Sequence, residues 1–175
     1  MSERRKDLPH VTEILRDAGL VDTRWFTDEM RERGTLLHRA IEFDATGGVD
    51  DETIDPTIAE AFAKWRQFVA EAKPEILAAE LGVEVPSVYC GTLDLLVRIN
   101  GAEGILDLKG QPSPQDCVQL AGYAGTFNRP LKRWNLYLRT GNGYRLVEHK
   151  ERRRDDAIWR AALVLAAWRK AHGLI

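Results

Sequence analysis

Cysteine is scarce in this chain of 175 residues, and several other absences exclude whole classes of protein. Cys90 and Cys117 are the only cysteines, too few for a disulfide framework or a four-cysteine metal cluster. We therefore expect a reducing, cytoplasmic setting. No apolar run approaches the roughly 20 residues of a membrane-spanning helix. The charged N-terminus leads into no apolar segment of the kind found in signal peptides, so we expect no membrane partner.

The composition is that of a folded protein, and its charge is unevenly distributed. Hydrophobic residues make up 44% and charged residues 30%, which is typical of a globular chain. The length fits a single domain over residues 1–175. The net charge of −2 argues against a generic nucleic-acid binder. However, residues 1–89 carry 11 Lys/Arg against 19 Asp/Glu, and residues 90–175 carry 14 against 8. This asymmetry suits a polyanion approaching one side, unless the two halves mix in space.

The hydrophobic pattern predicts an α/β fold in which helices flank a central mixed β-sheet. Strands are predicted over residues 76–85, 88–99, 104–109, 132–140 and 144–148. Helices are predicted over residues 8–19, 28–43, 56–72 and 114–127, and from about residue 155 onwards. Thr27 or Asp28 would cap the second helix, and Ser113 would cap the fourth. Gly34 weakens the second helix by about 1 kcal/mol relative to Ala, which favours a close backbone approach there.

A hairpin near the middle of the chain is the most informative stretch. Asn100-Gly101 is the strongest short hairpin signal, because both central residues of a type I′ turn need a positive φ. If these two residues form the loop, Ile99 pairs with Ala102 and Asp94 lies opposite Asp107. The Cβ atoms of such a pair are about 4.5–5.5 Å apart. A longer loop through residues 102–104 would shift this register.

The same hairpin predicts a metal site. Strand alternation places Asp94, Asp107 and Lys109 on one face. Buried carboxylates are costly unless they are paired, and two opposed carboxylates repel unless a cation lies between them. One or two Mg²⁺ or Mn²⁺ ions would suit oxygen ligands, with Lys109 serving the attacking water or a phosphate. A surface strand with a plain Lys–Asp ion pair is the alternative. The opposite face is predicted to be apolar, with Leu93, Leu95, Leu106 and Leu108.

Five short motifs together resemble the PD-(D/E)XK nuclease superfamily, in its RecB-like and phage exonuclease branch. The hairpin is similar to that branch in Gly91-Thr-Leu-Asp94 (Gly-x-x-Asp) and in Ile105-Leu-Asp107-Leu-Lys109 (apolar-Asp-x-Lys). Upstream, Gly34 to His38 resembles a Gly-x-x-x-His motif, and Glu80 lies where relatives often carry a strand glutamate. Downstream, Gln119 to Tyr123 resembles a Gln-x-x-x-Tyr motif. The resemblance covers about residues 10–150.

The resemblance implies a restriction-endonuclease-like core and a divalent-metal-dependent deoxyribonuclease, above all an exonuclease of the RecB-like or phage type. The implied metal ligands are His38, Glu80, Asp94, Asp107 and the backbone carbonyl of Leu108, with Glu84 competing for the place of Glu80. The implied catalytic residues are Asp94, Asp107, Lys109, Gln119 and Tyr123. In this assignment Lys109 serves the attacking water, and Gln119 and Tyr123 orient the lysine or contact the DNA strand.

DNA is the expected partner, and basic residues after the hairpin are candidates for binding its phosphates. They are Arg129, Lys132, Arg133, Arg152 and Arg153. A solvated charged face at a helix start is the alternative for the last two. The resemblance also leaves open a homo-oligomer or a recombination partner protein, in the cytoplasm of a bacterium or a phage-infected host.

Two alternative functions stay open. One is a structure-selective endonuclease or junction resolvase, and the other is a non-cleaving DNA-binding module on the nuclease fold. The chain has no phosphate-binding loop of the helicase type, and it lacks the four cysteines of iron–sulfur relatives. Gly110-Gln-Pro-Ser-Pro follows Lys109 where many relatives have Thr or Ser, which leaves the local phosphate contacts open.

Overall fold

Five strands form one mixed sheet in the computed structural model, which describes residues 8–21 and 27–175. The strands lie side by side in chain order. Neighbouring strands are antiparallel except for the third and fourth, which are parallel. Their bounds are β1 (Glu75–Val85), β2 (Tyr89–Ile99), β3 (Ala102–Lys109), β4 (Lys132–Tyr137) and β5 (Arg145–Glu148). The predicted central mixed sheet is thereby confirmed, although β4 ends three residues earlier than predicted.

Helices cover both faces of this sheet. They are α1 (Val11–Asp17), α2 (Asp28–Ala45), α3 (Ala59–Ala72), α4 (Asp116–Ala124) and α5 (Arg152–Ala171), with a short 3₁₀ helix at Asp51–Thr53. Residues of α1, α4 and α5 pack on one face, and residues of α2 and α3 pack on the other. The predicted α/β class is confirmed. Among the described residues, no helix combines the length and apolar character that crossing a membrane requires.

The sheet has an apolar core on each side, because strands covered on both faces must be apolar throughout. On the α2–α3 face, Trp65 and Phe68 pack with Leu95 and Leu106, and all four side chains are almost fully buried. On the other face, the buried side chains include Leu96, Ile105, Leu120 and Trp159. The hairpin strands therefore lie in the middle of the molecule, with fixed surroundings on both sides.

Caps were predicted for two helices, and one of these predictions was wrong. Thr27 caps α2 as predicted, because its hydroxyl accepts a hydrogen bond from the Met30 N–H at 3.2 Å. Ser113 does not cap α4, which begins two residues later than predicted. Instead, the Asp116 carboxylate accepts a hydrogen bond from the Ser113 N–H at 2.8 Å. The proline at 114 thus lies in the loop before the helix.

Gly34 in α2 does not mark a close backbone approach, contrary to the prediction. A Cβ atom built at this position would meet no atom of the described residues within 4 Å. The glycine faces a cleft instead of a packed neighbour. A glycine inside a helix costs about 1 kcal/mol relative to Ala, and no packing contact accounts for that cost here. The open space beside Gly34 is available to a ligand.

Candidate metal centre

The hairpin register matches the sequence prediction from the turn to Leu95, but the predicted pairing of Asp94 with Asp107 is not among the β2–β3 pairs of the described residues. Asn100 and Gly101 have φ angles of 49° and 79°, the positive values that a type I′ turn requires. Ile99 pairs with Ala102, and the regular pairing continues to Leu95 opposite Leu106. Asp94 and Asp107 are the next residues along the two strands. The two carboxylates therefore lie where the regular ladder ends, at the mouth of the hairpin.

Strand β2 is irregular at Asp94, and one predicted side-chain orientation was wrong for this reason. Leu95, Leu106 and Leu108 lie on the α2–α3 face as predicted, but Leu93 lies in the core of the opposite face. Regular alternation would keep residues 93 and 95 on one face. The apolar side chains of β2 therefore change face at Asp94.

The neighbouring strand β1 changes face at the corresponding position, which is Glu80. Ala79 pairs with Leu95 and packs on the α2–α3 face, whereas Leu81 pairs with Leu93 and packs on the other. Glu80 itself has a φ of 47°. A residue other than glycine in this left-handed region costs on the order of 1–3 kcal/mol, and such residues cluster at functional sites. The backbone irregularity thus coincides with the position opposite Asp94.

Three potential metal ligands from three separate elements meet at this irregularity. Ligand atoms of His38 from α2, Glu80 from β1 and Asp94 from β2 all lie within 4.8 Å of one another. Glu80 is exposed to solvent, and the other two are partly buried. A single ion with oxygen ligands at about 2.1 Å holds its ligand atoms within that span. The donor set of two carboxylates and one imidazole therefore fits Mg²⁺ or, because of the imidazole, Mn²⁺.

The Asp94 carboxylate is fixed by two hydrogen-bonding partners. Its Oδ1 lies 3.2 Å from His38 Nδ1, and its Oδ2 accepts the Leu108 N–H at 2.7 Å. Burial would raise the pKa of Asp94, but the charge of His38 and these contacts outweigh it and lower the pKa. Burial also works against protonation of His38, whereas the Asp94 carboxylate raises its pKa above the usual value. Asp94 is thus held ionised and oriented.

The backbone carbonyl of Leu108, a predicted metal ligand, points to the side of β3 on which Asp94 lies. In an extended strand, the N–H and C=O groups of one residue point towards the same neighbouring strand. The Leu108 N–H reaches Asp94, so its carbonyl is directed to that side of β3 as well. The carbonyl of the next residue, Lys109, points to the other side, because it accepts a hydrogen bond from the Leu138 N–H, just after β4, at 2.9 Å.

Asp107 is not one of the three residues whose ligand atoms meet within 4.8 Å, and it has its own partners. Its Oδ2 lies 2.7 Å from Lys109 Nζ and accepts a hydrogen bond from Asn135 Nδ2, also at 2.7 Å. Burial raises the pKa of Asp107 to about 6, with the charge of Lys109 opposing and the charge of Asp94 adding to the rise. For Lys109, burial lowers the pKa, but the two nearby carboxylates more than compensate and raise it. The alternative of a plain surface ion pair does not describe this site, because Asp107 is only 2% exposed.

Asn135 is a site residue that the sequence reasoning missed. It lies in β4 directly beside Asp107 in the parallel register, and it is fully buried. Its Oδ1 lies 2.7 Å from His149 Nε2. Because Oδ1 can only accept, the Nε2 atom of His149 carries the proton. The available signal was an amide between two apolar residues, Trp134 and Leu136, since a buried amide needs partners.

The predicted Gln119–Tyr123 pair is formed on α4. Gln119 Nε2 donates to Tyr123 Oη at 3.2 Å, and both side chains are buried. Burial raises the pKa of Tyr123, and the charge of Asp107 raises it further. The glycine of the predicted Gly-x-x-Asp motif makes room for this ring, because a Cβ at Gly91 would lie 2.8 Å from Tyr123 Cε1. The motif glycine therefore has a packing reason.

The five basic residues predicted to bind DNA lie elsewhere. None of them lines the cleft that contains His38 and Lys109. Within the described part of the chain, four make internal contacts: Arg129 with Glu103, Lys132 with Glu148, Arg133 with Asp156, and Arg152 with the Leu131 carbonyl. Arg153 is exposed. Their role in DNA binding stays a prediction, and the geometry adds nothing to it.

One cleft of about 1040 Å³ opens beside the candidate metal centre. It is lined by residues of α1, α2, α3 and the start of α4, and by the segments after β3 and β4. His38 and Lys109 line it directly, together with Gly34. No protein-family model and no curated protein matches this chain. The PD-(D/E)XK assignment therefore remains a resemblance, carried by the motifs and compatible with the sheet described above.

Proposed function

We propose that this protein is a divalent-metal-dependent nuclease that hydrolyses phosphodiester bonds in DNA, as an exonuclease of the RecB-like or phage type. One observation carries the proposal. His38, Glu80 and Asp94 converge at a strained backbone position, next to the buried Asp107–Lys109 pair and beside an open cleft. Perturbed ionisable groups that converge at a cleft are characteristic of functional sites.

The chain's own residues divide the work in this proposal. His38, Glu80 and Asp94 would hold Mg²⁺ or Mn²⁺, with the Leu108 carbonyl and the free side of Asp107 within the same region. When bound, the cation supplies Lewis acidity and lowers the pKa of a coordinated water. Lys109 uses one N–H on Asp107 Oδ2 and keeps two donors for a water or a phosphate oxygen.

The remaining side chains orient these groups. Asp107 Oδ2 accepts from both Asn135 and Lys109. His149 contacts the other end of the Asn135 amide and so supports its orientation. On α4, Tyr123 accepts a hydrogen bond from Gln119 and would orient the lysine or contact the DNA strand. Positioning of reacting groups by such supporting contacts is a major part of catalysis. The proposal includes a location in the cytoplasm of a bacterium or a phage-infected cell. A homo-oligomer of this chain, or a recombination partner protein, would bind the same DNA there.

A nuclease assay with a separate metal-binding readout tests the function. Linear and circular DNA, single- and double-stranded, are incubated with Mg²⁺ or Mn²⁺. We expect metal-dependent degradation of linear DNA that stops when EDTA is added. Asp94→Asn is expected to abolish both degradation and the rise in melting temperature that Mn²⁺ causes. Asp28→Asn, at a carboxylate 99% exposed, is the matched control and should keep both.

The outcomes separate the proposal from its alternatives. Degradation of linear DNA alone supports an exonuclease, whereas cutting of closed circles would replace it with a structure-selective endonuclease. DNA binding without cleavage under any metal condition would leave only a non-cleaving binding module. Absence of both Mn²⁺ stabilisation and cleavage would refute the metal centre itself.

A further inference from the structure

Two arginines from distant parts of the chain face the same cleft as the candidate metal centre. Arg33 lies on α2, next to Gly34, and Arg139 follows the end of β4; both line the cleft together with His38 and Lys109. Within residues 8–21 and 27–175, neither arginine forms an ion pair with a carboxylate. Arginines are normally satisfied by carboxylates or phosphates in a planar, two-pronged geometry.

Arg33 has an unsatisfied donor. Its Nε is buried and has no hydrogen-bond partner among the described residues. A buried donor left without a partner costs about 1–3 kcal/mol, so such an atom in a native structure calls for an explanation. Beside it, the helix surface at Gly34 is open, with no atom within 4 Å of a Cβ at that position. A ligand that approaches α2 here meets a free donor and no steric barrier.

Arg139 is anchored close to the catalytic lysine. Its backbone N–H donates to the Gly110 carbonyl at 2.9 Å, and its Cδ lies 3.4 Å from a Cβ built at Gly110. Its side chain therefore runs directly beside the residue that follows Lys109. Burial lowers the pKa of Arg139, and the positive charge of Arg33 lowers it further. Both guanidinium groups lie in the lining of one cleft, where their like charges repel, and an anion between them would relieve this repulsion.

The carboxylates that line the cleft do not supply that anion, because each has a partner of its own. Glu13 accepts the His10 N–H at 2.9 Å, and Asp116 accepts the Ser113 N–H at 2.8 Å. Lys64 is 7% exposed and donates to Glu60 Oε1 at 2.7 Å and to the Gly141 carbonyl at 2.9 Å. The Glu60 carboxylate is thus engaged by Lys64 and is itself 85% exposed, although its charge reaches Arg139. With Lys64 and Glu60 paired, the two arginines leave the wall with a positive charge.

We propose that Arg33 and Arg139 together bind one phosphate group of the DNA backbone on the α2 wall of the cleft, beside the metal centre. The identification of the ligand as DNA rests on the proposed function, whereas the anion site itself does not. A tetrahedral phosphate offers oxygens to two guanidinium groups at once. The site would hold the strand so that a neighbouring phosphodiester reaches Lys109 and the metal ligands.

The test measures binding without cleavage. A short fluorescent oligothymidylate is titrated in EDTA, at several salt concentrations, against the unmodified protein, Arg33→Gln, Arg139→Gln and the double variant. We expect each single variant to weaken binding about tenfold to a hundredfold and to reduce the salt slope by about one. Arg33→Lys, which keeps the charge but loses the forked geometry, should recover part of the affinity.

A control of equal charge change makes the result specific. Arg160→Gln, at an exposed position on α5 outside the cleft, should leave affinity and slope unchanged. Unfolding curves establish that every variant is folded; if Arg33→Gln does not fold, Arg33→Lys and Arg139→Gln decide. Unchanged affinity and slope in the folded arginine variants would overturn the proposal, even if the protein cleaves DNA. A loss equal to that of Arg160→Gln would overturn it as well, since it would reflect net charge alone.

Failure of the proposed function is a separate result. Inorganic pyrophosphate is added to the same titration as a competitor that contains no nucleotide. Competition that disappears in the double variant supports the anion site whether or not Mg²⁺ or Mn²⁺ ever gives cleavage. If pyrophosphate competes equally well in the unmodified protein and in the double variant, the anion is bound elsewhere and the proposal fails.

Discussion

Asn135 allows the sharpest test of the buried network, because it is the residue between Asp107 and His149. Truncation by Asn135→Ala removes the 2.7 Å hydrogen bond to Asp107 Oδ2 and the 2.7 Å contact with His149. A hydrogen bond to a charged group contributes about 1.5–3 kcal/mol, and an orphaned buried donor costs about 1–3 kcal/mol. These terms are not additive within one network. We expect a loss of about 3 kcal/mol in the free energy of unfolding.

Urea unfolding, followed by circular dichroism in EDTA, measures this loss. The midpoint should fall while the slope of the unfolding free energy against urea stays constant. In thermal unfolding the same loss corresponds to about 6–12 °C for a chain of this size. Asn142→Ala is the matched control, since this asparagine is exposed in the turn before β5 and should change stability by less than about 0.5 kcal/mol.

A double-mutant cycle with His149 decides whether the two residues act as a unit. His149→Ala alone leaves the buried Oδ1 of Asn135 without its donor, and Asn135→Ala alone leaves His149 Nε2 without its acceptor. The double variant removes both groups, so neither is left unpaired. We therefore expect the double variant to be less destabilised than the sum of the single variants, by about 0.5–3 kcal/mol. A loss below 0.5 kcal/mol for Asn135→Ala, or strict additivity in the cycle, would refute the argument that this network holds Asp107.

Three further substitutions test the backbone around the site. Glu80→Gly should raise the unfolding free energy by about 1 kcal/mol in EDTA, because glycine tolerates the φ of 47° at no steric cost. Glu80→Gln keeps the strain and should not raise the unfolding free energy. Both substitutions should weaken the stabilisation by Mn²⁺. Gly91→Ala should lower the unfolding free energy by about 1–3 kcal/mol, since its Cβ would lie 2.8 Å from the Tyr123 ring; equal stability in urea would contradict this packing. Gly34→Ala, where nothing lies within 4 Å, should raise the midpoint by the equivalent of about 0.5–1 kcal/mol, and a fall would mean that the glycine has a packing role.

The hairpin was predictable because its register depends on local chemistry. Asn100-Gly101 favours one turn type, and that turn alone sets the pairing of Ile99 with Ala102. The cap of α2 was predictable for a similar reason, since Thr27 satisfies an N–H only three residues away. Where a few neighbouring residues determine the structure, that structure can be predicted from the sequence.

The features that were missed depend on contacts between distant segments. The position of Leu93 could not be deduced from alternation, because the strand changes face at Asp94 together with β1. Asn135 gains its role only from the parallel pairing of β4 with β3, which joins residues 28 positions apart. Arg33 and Arg139 likewise come from distant segments and line the same cleft. Periodicity describes the elements, but not which side chains from different elements face each other.

The two aspartates of the hairpin, which the sequence suggested as equivalent ligands, occupy different surroundings. Asp94 is drawn towards His38 and Glu80, whereas Asp107 is held by Lys109 and Asn135. Two opposed carboxylates with the same partners would repel each other without gain. The regular β2–β3 ladder ends at Leu95 and Leu106, and the apolar side chains of β2 change face at Asp94. This change of face coincides with the point at which the two carboxylates acquire different neighbours.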